Sequence, residues 1–111
     1  MTDEKQPRPD AKWSEAAKQL WKTTLAGFVL EQHHREILKA ACVELTRADA
    51  AKSILDDAGP VIQDRFGVPK EHPAVAVERN AHTTFLRLLR ELGLDIAPSE
   101  SRGPRRPGTR G

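Results

Sequence analysis

Apolar residues recur at spacings of three and four through most of the middle of the chain. Trp13, Ala17, Leu20, Trp21 and Thr24 share one stripe, the period of an amphipathic helix. Ser14 stands in front of the stripe as an N-cap and Gly27 behind it as a stop, so the pattern predicts a short helix over 14–26. A longer stripe follows, made of Ile37, Leu38, Ala41, Cys42, Leu45, Ala48, Ala51 and Leu55, and no proline interrupts it before Gly59 and Pro60. That predicts a helix over 31–58. Val77, Ala81, Phe85, Leu88, Leu89 and Leu92 form a third stripe, entered through Pro73 and stopped at Gly93.

Between Pro60 and Pro73 the period changes. "VIQDRFGVPKE" carries two short β-favouring pieces around a turn at Asp64 to Gly67. Gly67 suits the positive φ of that turn, and Pro69 is tolerable only at a sheet edge. A small hairpin is predicted here, which makes the fold class mainly α: a three-helix core with a β-hairpin between the second and third helices. His72 precedes Pro73. A histidine in this setting reads either as a ligand or proton shuttle or as a helix cap. Proline pushes the preceding residue towards an extended backbone, which suits a cap whose ring accepts a first-turn N–H and does nothing for proton transfer.

Charge changes the picture mainly at the C-terminus. The formal charge over 111 residues is +2, too little to declare a nucleic-acid partner by itself. Acids and bases balance over 1–13 and again over 14–93, so the excess lies in the tail, where Arg102, Arg105, Arg106 and Arg110 face only Asp95 and Glu100. Composition divides the chain into a disordered N-terminal segment over 1–12, a helical domain over 13–97, and a disordered Arg-rich tail over 98–111. The single cysteine, Cys42, can form no internal disulfide and points to a reducing compartment. No apolar run approaches the roughly 20 residues of a membrane span, so a soluble intracellular protein with no membrane partner is expected.

Candidate chemistry is sparse. His33 and His34 are adjacent and are expected to point to different parts of a helix surface, and no cysteine pair or His-x3-His spacing accompanies them, so no metal is expected. The carboxylates are interleaved with bases; Glu31/Arg35 and Glu36/Lys39 read as ion pairs on a solvated helix face. There is no phosphate-cradling glycine loop and no Gly-x-Ser-x-Gly. Neither an enzyme nor a cofactor is expected.

The order of landmarks is more telling than any residue. A tryptophan-bearing short helix, a long alanine-rich helix ending in "DDAG", a hairpin ending "RFGVPKEHPAVAVERNA" and a last helix closing on "LLRELGLD" together resemble the small subunit of tailed-phage terminases, over roughly residues 13 to 95. The resemblance implies a non-catalytic adaptor that forms a ring-shaped homo-oligomer in the host cytoplasm, recognises double-stranded viral DNA and delivers it to a large terminase subunit for packaging. On that reading the DNA contacts are Lys18 and Lys22, four apart on the first helix, and the tail arginines Arg102, Arg105, Arg106 and Arg110. Phe85 and Leu89 on the third helix are the expected oligomer interface. The alternative is a helical, dimeric protein-interaction module without DNA binding, whose arginine tail serves solubility.

Overall fold

A computed structural model describes residues 7–93. The first helix, α1 (Glu15–Gly27), begins where the sequence supplies a cap: Ser14 is extended, and its Oγ accepts the N–H of Ala17 at 3.3 Å. The same hydroxyl donates to Asp49 Oδ2 at 2.7 Å, and the Ser14 N–H donates to Thr46 Oγ1 at 3.0 Å. The cap is therefore also the joint that fixes α1 to α2 (Gln32–Ala58). Ala17, Trp21, Thr24 and Leu25 are buried on α1; Leu25 extends the stripe beyond the positions read from sequence.

α2 buries Leu38, Ala41, Cys42, Ala48 and Ala51 along 27 residues. It stops at Gly59, whose φ of 83° and ψ of 161° lie in a region open essentially to glycine alone, and Pro60 then prevents continuation. The chain turns into the hairpin of β1 (Val61–Gln63) and β2 (Pro69–Glu71), antiparallel with Val61 opposite Glu71 and Gln63 opposite Pro69. Asp64 builds the turn: its Oδ1 accepts the N–H groups of Phe66 at 2.8 Å and Val68 at 3.0 Å, and its carbonyl accepts from Gly67 at 2.9 Å. Gly67 has φ 77°, the left-handed position that ends a three-residue hairpin loop. Pro69 opens its strand, where its missing N–H costs no ladder bond.

The last helix, α3 (Pro73–Leu92), starts on His72, whose Nδ1 accepts the N–H of Ala74 at 3.0 Å. The histidine is a cap. Because its ring needs only an acceptor at that atom, His72→Asn is expected to leave stability nearly unchanged. Pro73→Gly, which frees the unfolded chain, is expected to lower stability by about 1 kcal/mol. Urea unfolding of the two variants checks the contrast, and a large loss in His72→Asn would show that the ring does more than cap.

Two kinds of packing hold the helices. Ala17, Trp21 and Leu25 of α1 meet Leu38 and Cys42 of α2 in one apolar cluster, with Trp13, Leu20, Leu30, Leu45 and Leu92 around it. Leu92 brings the end of α3 back to the start of α2, so α3 runs antiparallel to α2 along its length. Their shared seam is built from small side chains, with Ala41, Ala48 and Ala51 buried on α2 and Ala74 and Ala81 buried on α3. Alanines at a helix crossing allow the axes to approach to the near end of the usual 8–10 Å range. Phe85 is the one large side chain fully committed to the α3 side of this core, at 9 % exposure.

Within the segment 1–12 that composition marks as disordered, residues 7–12 are described, and they make hydrogen bonds of their own. The Trp21 indole Nε1–H donates to the Pro7 carbonyl at 2.7 Å, Asp10 Oδ1 accepts from the Lys12 N–H at 2.8 Å, and the Asp10 carbonyl accepts from Trp13 at 3.1 Å. A buried indole needs a partner for its N–H, and here the N-terminal strap supplies it.

Candidate nucleic-acid interface

The two lysines of α1 differ in setting. Lys22 is exposed. Lys18 is not on a free face: its side chain is only 25 % exposed, and its Nζ lies 3.3 Å from Glu15 Oε2. Three positions before Trp21, it borders the buried stripe of α1. The four tail arginines, Arg102, Arg105, Arg106 and Arg110, lie outside the described residues.

A second group of cations was not singled out by sequence. Between the N-terminal strap and the start of α2 lies an open groove of about 530 Å³, with Trp13 and Trp21 in its wall and Arg8, Arg35 and Lys39 around it. The two indoles meet edge to face at 5.4 Å. Lys39 pairs with Glu36 at 3.5 Å, as its spacing implied. Arg35 donates instead to Gln32 Oε1 at 3.2 Å, while Glu31 approaches His33. The available signal was the four-residue spacing of Arg35 and Lys39, which places both on one side of the helix; Arg8 joins them only through the strap, which no local pattern reveals.

The expectation that His33 and His34 diverge does not hold. Their ring centroids are 4.1 Å apart, and with Glu31 they place ligand-type atoms within 4.8 Å of one another. Adjacent helical positions differ by about 100° in direction, but exposed rings in a first turn can swing together through χ1. Glu31 and His33 are exposed, and His33 Nδ1 lies 3.7 Å from Glu31 Oε1.

Cys42 is the other reactive type. Its Sγ–H donates to the Ala17 carbonyl at 3.4 Å, and burial pushes the thiol up to about 12 from an ordinary 9.0. The sulfur is a neutral packing atom at ordinary pH, not a nucleophile. Phe85 and Leu89 take up different positions: Phe85 faces its own core, and Leu89 is half-buried at its margin.

These features define a class: a helical scaffold with a projecting hairpin, whose distinctive chemistry is carried on exposed surfaces. No helix among the described residues is long and apolar enough to cross a membrane. Comparison with known families makes the class particular. The family model described as phage terminase, small subunit, matches residues 11–103, taking in all three helices and the hairpin, and the chain belongs to that family. No curated protein and no solved structure matches the chain.

Proposed function

We propose that the chain is the DNA-recognition adaptor of a phage packaging machine. It assembles as a ring, binds double-stranded viral DNA, and delivers it to the large terminase subunit without performing catalysis itself. The observation that carries this reading is the family match over residues 11–103. The phage packaging role follows from membership; the ring, the DNA contact and the delivery step are inferred. In the ring, α3 around Phe85 and Leu89 meets a neighbour as well as its own core, because a domain of about 80 residues without disulfides or metals gains stability from association.

Lys18, Lys22, Arg102, Arg105, Arg106 and Arg110 are the proposed DNA contacts. Six cations meeting phosphate give a slope of log affinity against log salt of at most about −5 per copy, lowered further by Asp95, Glu100 and Glu15. A single copy therefore binds weakly, and many copies on one DNA gain by avidity of roughly a hundredfold or more.

Removal of residues 98–111 is expected to weaken binding sharply and to flatten the salt slope while the mass of the assembly stays the same. Titrations of full and truncated chains across a salt series, with light scattering in the same buffers, check this. Unchanged affinity and slope would move the contact elsewhere, with Lys22 and the Arg8, Arg35 and Lys39 groove next in line. A dimer with no DNA affinity would favour the protein-interaction module.

A further inference from the structure

We propose that the hairpin tip of one copy, Arg65 and Phe66, seats in the groove between α2 and α3 of the next copy, and that this contact propagates the assembly. The proposal rests on the ring reading above and names the surfaces that would make it.

Phe66 is 77 % exposed, and it does not lie loosely. The Asp64 carboxylate ties down the turn that carries it, and the Arg65 guanidinium carbon sits 5.2 Å from the ring centroid. A cation at that distance from an aromatic face is attracted to it. The tip therefore presents one preformed unit, an apolar disc with a positive charge on it. Val61 at the start of β1 and Val68 at the end of the turn are also exposed.

The complementary surface is a groove of about 290 Å³ on one flank of the α2 and α3 pair. A closed cavity of about 150 Å³ holds a benzene ring, and this groove, open on its outer side, exceeds that volume. Val77 and Ala81 offer the groove an apolar wall, Asn80 and Thr84 a polar one, and Glu44 and Arg47 an ion pair. Glu44 is only 19 % exposed and is held 3.3 Å from the more exposed Arg47. An incoming Arg65 would give this sheltered acid a second cation. Past the groove, Ala40, Val43, Ala50 and Ile54 lie on one exposed stripe of α2, with Arg47 in the middle of it. Val43, Ile54 and Val77 are all substantially exposed.

Charge selects the pairing. Tip against tip would oppose Arg65 to Arg65 with no acid between them, whereas tip against groove brings Arg65 to the Glu44 carboxylate, which it shares with Arg47. Two different patches on one chain make a head-to-tail contact, which closes into a ring when the rotation per copy allows it. A self-complementary patch would stop at two.

The test is the mass of the full chain by light scattering over a concentration series. Phe66→Ser and Arg65→Glu, both at the exposed tip, are each expected to raise the concentration at which half the chains assemble by tenfold or more, with unchanged thermal melting at low concentration. Glu44→Arg is expected to do the same, and combining it with Arg65→Glu to restore assembly, which two unrelated charge reversals would not. Tip variants that assemble like the unaltered chain would overturn the proposal while leaving the ring standing. Tip variants that assemble normally but no longer bind the large subunit would show that the partner, not a second copy, takes the tip, and would overturn it as well. An unaltered chain that stays at the mass of one copy throughout would remove the ring reading and this contact together.

Discussion

Trp21→Ala is expected to remove most of the stability of the fold. The side chain is 3 % exposed and sits at the centre of the cluster that joins α1 to α2. Truncating a buried tryptophan costs about 3–5 kcal/mol, against a total of about 5–15 kcal/mol for a domain. The loss is compounded because the Pro7 carbonyl loses its donor and the N-terminal strap loses its anchor. Trp21→Phe separates the two effects in part: it keeps much of the apolar bulk but loses the N–H and the second ring, so its cost should be the smaller one, about 1–3 kcal/mol. Urea titration followed by far-ultraviolet circular dichroism gives both values. Equal losses in the two variants would place the weight on the strap bond, not on the packing.

Ala48→Leu is expected to lower stability by about 1–3 kcal/mol through overpacking. Ala48 is buried on the side of α2 that α3 covers, and its neighbours along that seam are themselves alanines. A leucine there has to push the two helices apart. For a domain of about 80 residues each kcal/mol shifts the midpoint of melting by roughly 4–8 °C. Ala50→Leu, two positions away on the exposed side of the same helix, should stay within about 0.5 kcal/mol of the original. Calorimetric melting of the pair checks the assignment of faces, and a loss in Ala50→Leu as large as in Ala48→Leu would contradict it.

What was legible in the sequence was what neighbouring residues decide between themselves. Ser14, His72 with Pro73, Gly59 and Gly67 act within a few positions of where they stand, and each does what its type allows: cap, start, stop or turn. The stripes of α2 and α3 were legible for the same reason, since a helix fixes which residues share a side. Their partners were not. Periodicity marks Phe85 as belonging to an apolar face without saying that its own chain fills that face. Ser14 reaches Asp49 across 35 positions, and Trp21 reaches back to Pro7 across 14, so neither bond has a local signature. Side-chain rotamers account for the rest, as with His33 and His34, whose rings meet although their positions diverge. The candidate site was the least legible part because it is assembled from the strap, α1 and α2 together.

The edge-to-face pair of Trp13 and Trp21 also determines what light can report about this molecule. The chain has two tryptophans and no tyrosine, so its near-ultraviolet signal comes chiefly from one corner, where the strap crosses α1. Two indoles 5.4 Å apart share their excitation, and their combined spectrum depends on the angle between them. Emission will follow the docking of the strap and the end of α1 closely. It will be nearly blind to the hairpin and to the outer half of α3, so those regions could part from the rest without any change in colour.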